Sequence, residues 1–273
     1  MGVTNYDAVK AYLYGNNVRS AGGTLFSDGD ILYSYGKHWI LAIRHGRTVF
    51  INNDYYSKTT AKHRSYVVSQ TPRHSMVDVS MGALSEAVLE VFRRENHGGS
   101  WDIEEFMQDV EIIETHDGEA LLRRFGDYYL IGRDDTIRDG INKTFVTQLR
   151  IDRDGPPEGI CEAYDRMIPE IVKYKQGVKR QGDWFFFPIA IKDPLIKQCH
   201  CPLKNKEGEE GSHIASEWFQ QGKDQYVKGI IKHPEHKQLK LYYPPKPKQL
   251  FWHVAVEAER ENSWSGATKG GID

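Results

Sequence analysis

Turn-forming residues cut this chain into short apolar segments, and that punctuation constrains the fold more than any other feature. His45-Gly46-Arg47, Asp117-Gly118 and Gly126-Asp127 each separate two β-type runs. Runs joined by such short turns pair antiparallel, because a parallel return needs a crossover of a dozen or more residues. The runs lie at 30–35, 39–44 and 48–52, then at 110–115, 119–125, 127–132 and 144–151. Near the C-terminus they lie at 178–191, 225–232, 238–243 and 250–257. The stretch 192–212 between them reads as a loop, with Cys199-His200-Cys201 at its centre.

Helical periodicity occupies the gaps. Residues 4–14 form a short candidate helix, and Ser57 is placed to cap one running through His63 to Val68. Leu84, Val88, Leu89, Val91 and Phe92 recur at helical spacing within 80–95, and a short acidic-fronted helix follows at 101–110. A helix from Glu158 to Tyr174 contains Pro169, which kinks or divides it. The polar, proline-bearing stretch Asp152-Arg153-Asp154-Gly155-Pro156-Pro157 is the best boundary. The expected architecture is therefore α+β. It has an N-terminal α/β domain at 1–152 with antiparallel strands, and a β-rich domain at 153–273 with a leading helix and a small β-barrel or β-roll.

Composition narrows the classes. Aromatic residues are 12% of the 273, so a core can form despite low mean hydropathy. No apolar run approaches the ~20 residues that span a bilayer, and MGVTNYDAVKAYLYG lacks the basic and apolar blocks of a secretory signal. Three cysteines, two of them one residue apart, argue against a disulfide framework and for a reducing compartment. The expectation is a cytoplasmic protein of a host cell, without a membrane partner, able to form a homo-oligomer. A formal charge of -2 gives no general attraction to nucleic acid but leaves room for local basic faces.

Three constellations carry chemistry. His213, His233, His236 and His253 gather in the C-terminal third, with Cys199 and Cys201 just before them. Neutral imidazole and thiolate are the usual zinc ligands, so zinc held by Cys199, Cys201, His233 and His236 is one reading. Another needs no metal: His233 with His213 or His253 serves as general acid and base for phosphodiester cleavage. The bland reading makes His233 and His236 surface turn residues and His253 a hydrogen-bonded core histidine.

Residues 52–65 concentrate hydroxyls and cations. Ser57, Thr59, Thr60, His63 and Arg64 can bind phosphate at a helix start, or simply cap that helix. Lys179 and Arg180, in a basic and aromatic strip at 173–181, and Lys228 and Lys232 further on can follow a nucleic-acid backbone. A solvated helix end explains the strip equally. No Walker loop, dinucleotide-binding glycine fingerprint, nucleophile elbow, HExxH or EF-hand loop is present.

Two stretches form a wider pattern. One is Arg180-Gln181-Gly182-Asp183, Phe185-Phe186, Pro188, Gly211-Ser212-His213-Ile214-Ala215, Val227-Lys228-Gly229 and His233-Pro234-Glu235-His236 with Leu239 and Leu241. The other is Tyr35-Gly36 with Asn53-Asp54-Tyr55-Tyr56-Ser57-Lys58-Thr59-Thr60-Ala61-Lys62-His63. Together they resemble a group of proteins of phages, plasmids and other mobile elements. The resemblance implies a setting and no particular reaction. In that setting the leading expectation is a protein that binds or processes RNA or single-stranded DNA, with histidine-based phosphodiester chemistry. The alternatives are an inhibitor of a host defence protein acting through a protein interface, and a structural or assembly component.

Overall fold

The computed structural model describes residues 3–94, 103–139, 143–149, 151, 155–192, 194–241 and 251–258. They fall into two compact units. Of the described residues, one comprises the chain up to Arg133 together with 144–163; the other comprises 134–143 and the chain from Tyr164 to Ala258.

The first unit opens with α1 (Asn5–Leu13), where the Thr4 side chain caps the Asp7 amide. Strands β1 (Leu25–Asp28), β2 (Ile31–Ser34), β3 (Ile40–His45) and β4 (Thr48–Asn52) form an antiparallel meander. Helix α2 (Lys58–Gln70) then crosses over, and β5 (Met76–Val79) pairs parallel with β4. The expectation of antiparallel pairing throughout fails here, because the 13 residues of α2 supply the crossover that a parallel return needs.

Both faces of this five-stranded sheet are covered. Leu32, Leu41, Val49 and Ile51 pack on one side with Ala8, Val9 and Tyr12 of α1 and Val67 of α2. Ile31, Tyr33, Ile43, Phe50, Val77 and Val79 point to the other. That face meets α3 (Met81–Arg94), α4 (Ile103–Gln108) and an antiparallel four-stranded sheet. The second sheet runs β6 (Glu111–His116), β7 (Glu119–Arg124), β8 (Asp127–Arg133) and β9 (Thr144–Leu149) in order. Burial on both faces explains why β2 to β4 read as continuous apolar runs. Residues 101–102, at the start of the expected helix 101–110, and most of the expected boundary, 152–154, lie outside the described residues.

The expected helix at 158–174 is divided. Helix α5 (Ile160–Met167) ends before Pro169, which stands at the N-cap of α6 (Glu170–Lys173). Pro169 lacks the amide that a continuous helix needs from it.

The second unit is built on β10 (Lys179–Gln181), β11 (Trp184–Pro188), β12 (Gln198–Lys204), β13 (Glu210–Gln221), β14 (Asp224–Lys232), β15 (Leu239–Leu241) and β16 (His253–Glu257). The single run expected at 178–191 is two strands, folded back at Gly182-Asp183. The sheet order is β10-β11-β16-β14-β13-β12, with β15 also on β14. Every pair is antiparallel. No closed barrel forms among the described residues; β10 and β12 are the sheet's two ends. Trp184, Phe186, Leu203, Ala215, Trp218, Val227, Ile231, Leu241 and Ala255 make its core. Among the described residues no helix is long and apolar enough to cross a membrane.

Candidate metal centre

The C-terminal sheet brings three of the four histidines together. His213 lies on β13, one residue before the Ile214–Lys232 pair. That register sets it across from His233, the residue after β14. The chain then turns through Pro234, which cannot extend a ladder, and returns as β15 with Leu239 opposite Ile231. His236 is carried by that turn. The ring centroids of His213 and His233 are 4.3 Å apart, those of His233 and His236 4.4 Å, and those of His213 and His236 5.5 Å. One nitrogen from each ring lies within 4.8 Å of the others, and each residue is less than a tenth exposed.

The turn is pinned by a segment far away in sequence. Arg138 Nε donates to the His236 carbonyl at 2.8 Å, and Arg138 Nη2 to the His233 carbonyl at 3.0 Å. The Arg138 amide donates to the Glu235 carbonyl and the Lys237 amide to the Thr136 carbonyl. These bonds satisfy turn carbonyls that no strand reaches.

Hydrogen bonding fixes the state of each ring. Thr136 Oγ1 donates to Asp134 Oδ1 at 2.7 Å and accepts from the Gly182 amide at 2.9 Å. Having given its hydrogen to the carboxylate, it can only accept from His236 Nδ1, 3.1 Å away. His236 Nε2, beside Gly182, therefore carries the lone pair. Asp134 is 2% exposed and is neutralised by Arg180 Nη2 at 2.9 Å.

His213 hydrogen-bonds the Gln181 backbone, while its Nε2 is buried with no partner. In His233, Nδ1 accepts from the Glu235 amide at 3.1 Å, so Nε2 carries the hydrogen and donates to Ser212 Oγ at 2.6 Å. A metal taking His233 Nδ1 would displace the Glu235 amide and leave the Ser212 bond intact.

The electrostatics favour neutral rings. Burial, reinforced by His233 and His236, pushes His213 down to about 2. Burial also lowers His236, against the opposing pull of Asp134, Asp183 and Glu235. A ring that stays deprotonated at neutral pH is a poor proton shuttle and a ready ligand. The Ser212–His233 pair is not an activated nucleophile either, because the nitrogen facing Ser212 already bears hydrogen. Tetrahedral zinc with bonds of 2.0–2.1 Å would need ligand atoms about 3.3 Å apart, so closing on the ion would take a contraction of up to about 1.5 Å.

The remaining candidates stand elsewhere. His253 is fully buried in β16 opposite Val227, its Nδ1 2.9 Å from the Phe251 carbonyl. Val227 precedes His233 by six strand positions, about 20 Å. Cys199 and Cys201 sit on β12 opposite Glu217 and Ala215 and are outside the three-histidine group. Arg180 is committed to Asp134 and the Gly182 carbonyl, and Lys179 Nζ donates to the Lys240 carbonyl. Lys228 lies over the Trp252 ring, whereas Lys232 is exposed.

In the first unit, Ser57 and Thr60 bond each other in a capping box. Arg64 pairs with Asp78 and bonds the Asn52 carbonyl. Asn5 Nδ2 donates to His63 Nε2 at 3.0 Å, so His63 Nδ1 donates to Ser34 Oγ at 2.8 Å. These groups are used internally; Thr59 alone of that set is exposed. Asp134, Thr136, Arg138 and Ser212 were not singled out from sequence. They touch the site through folding alone, and no spacing signal links residues 134–138 to 233–236.

No family model, curated protein or solved structure matches this chain. The reading of the site rests on its own geometry.

Proposed function

We propose that the C-terminal unit binds one transition-metal ion, of the zinc type, on His213, His233 and His236. The observation that carries this reading is the His213 Nε2 lone pair, buried and unpartnered among two further imidazoles. An apolar side chain would fill that place at no desolvation cost, whereas an orphaned buried acceptor costs about 1–3 kcal/mol. Three imidazoles suit zinc better than calcium or magnesium, which take oxygen ligands.

Three protein ligands leave a fourth position for water, whose pKa bound zinc lowers to about 7. With the mobile-element resemblance, this supports metal-assisted hydrolysis of RNA or single-stranded DNA rather than direct histidine acid–base chemistry. The cytoplasm of a host cell is the corresponding location. A second reading is favoured by the depth of the rings. A closed, structural ion would stabilise a binding-only protein, either an inhibitor of a host defence protein or an assembly component.

Incubation of the protein with labelled single-stranded RNA and DNA separates the two. Cleavage abolished by a chelator, restored by zinc and absent in His213→Ala supports the hydrolase. Zinc binding without cleavage supports the structural ion.

A further inference from the structure

We infer that the first unit carries a binding site for single-stranded nucleic acid on an aromatic ledge beside the start of α2. Two loops build it: the β2–β3 connection and the β4–α2 connection. Tyr35 is 48% exposed, Tyr55 75% and Tyr56 54%. The Trp39 and Tyr56 rings lie 4.7 Å apart at 32°, and His38 adds an edge 6.3 Å from Tyr56. The Tyr35 ring lies 6.0 Å from the buried His63 ring.

Rings of this size bury well, and three exposed tyrosines on two loops, one of them packed on a half-buried tryptophan, need a reason. The loops that hold them are not slack. The Ser34 amide donates to the Trp39 carbonyl, the Trp39 amide to the Gly36 carbonyl and the Tyr35 amide to the Thr24 carbonyl. Tyr35 itself is held at φ 68, in the left-handed region that a bulky residue avoids. The backbone is fixed, and the rings are displayed on it.

Charge selects the occupant. Helix α2 reads KTTAKHRSYVVSQ and contains no acidic residue. Lys58 and Lys62 share one helical face, both are exposed, and neither has a carboxylate partner among the described residues. Asp28 pairs with Lys37 and Asp78 with Arg64, while Asp54 of the β4–α2 connection is turned to the Gly82 amide. Lys58 follows Tyr56 by two residues and Lys62 by six, and exposed rings followed by such lysines fit a chain that offers π-faces and phosphates in alternation. A neutral sugar would use the rings but leave the lysines unanswered. Duplex bases are stacked on each other and cannot reach the rings. The bases of a single strand would lie on Trp39, Tyr56 and Tyr35, with phosphates toward Lys58 and Lys62. This site does not depend on the metal centre.

The test is fluorescence anisotropy of a labelled twelve-nucleotide oligothymidine, with chelator present so that the metal centre plays no part. Wild-type protein should bind at low salt. The Trp39→Ala/Tyr56→Ala variant should bind about tenfold more weakly or worse. Lys58→Gln/Lys62→Gln should reduce the slope of log affinity against log salt by about 1.4. Far-UV circular dichroism should match wild type for both, since Tyr56, Lys58 and Lys62 are exposed and Trp39 packs on Tyr56 rather than in the core clusters. Absent binding by wild type, or undiminished binding by the folded aromatic variant, overturns the inference. Binding by wild type that a neutral oligosaccharide displaces also overturns it.

Discussion

Thr136 Oγ1 stands 3.1 Å from His236 Nδ1, across a hundred residues of sequence, and decides which nitrogen of that ring carries hydrogen. The hydroxyl is oriented by Asp134, and Asp134 in turn pairs with Arg180. A carboxylate acting on a ligand imidazole through one hydroxyl is an outer shell of the kind that tunes metal sites.

Removing that hydroxyl therefore has a defined consequence. Thr136→Val keeps the shape and loses the acceptor. Zinc affinity, measured by competition with a chromophoric chelator, should fall about 10- to 100-fold. Thr136→Ser should restore most of it, because the hydroxyl returns.

Asp134 is buried while its partner Arg180 is one-fifth exposed, and removing the acid leaves buried donors without their acceptor. Asp134→Ala removes the acceptor of Arg180 Nη2 and of the Thr136 amide and hydroxyl, and should lower unfolding free energy by about 1–3 kcal/mol. Urea titration in the presence of a chelator measures this apart from any metal. A loss below about 1 kcal/mol would mean that water already screens the pair.

Gly182 admits nothing larger. A Cβ there would lie 2.6 Å from His236 Nε2, on a backbone at φ 57. Gly182→Ala should both destabilise the C-terminal unit and weaken zinc binding, since His236 must move. Gly126→Ala, where φ is also positive but open space surrounds the site, should destabilise without touching zinc affinity.

Acid should loosen the first unit through His63. Burial lowers its pKa, with Lys62 adding to the effect. The folded state thus binds a proton less readily than the unfolded chain. The stability this contributes is complete above the unfolded value of about 6.5 and is lost as pH falls through the folded value. Urea midpoints at pH 7.5 and pH 5.5 should separate more in wild type than in His63→Gln. Equal separations would remove His63 from the account.

The β2–β4 meander was legible because turn residues stand at fixed offsets between apolar runs. Strand β13 was not, although it carries His213. Its burial alternates only on one side, and a register shift between Ala215 and Glu217 breaks the period of two. Polar, half-solvated β12 was read as a loop for the same reason. The parallel β4–β5 pair is not legible because no turn residue marks the return of a strand after a 13-residue crossover helix, and β5 is only four residues long. Of the site, His213, His233 and His236 were visible as residue types. Their separation from His253 and from the Cys199–Cys201 pair was set by strand register, which sequence spacing does not reveal. The ring tautomers depended on Thr136 and Ser212, whose contacts exist only after folding.

Isothermal titration of chelator-stripped protein with zinc bears most directly on the metal centre, with Co2+ substitution reporting the ligand field. One equivalent per chain should bind, with a tetrahedral cobalt spectrum, and His213→Ala should lose both while Cys199→Ala/Cys201→Ala keeps both. No saturable binding by wild type, or binding that survives replacement of all three histidines, would contradict it.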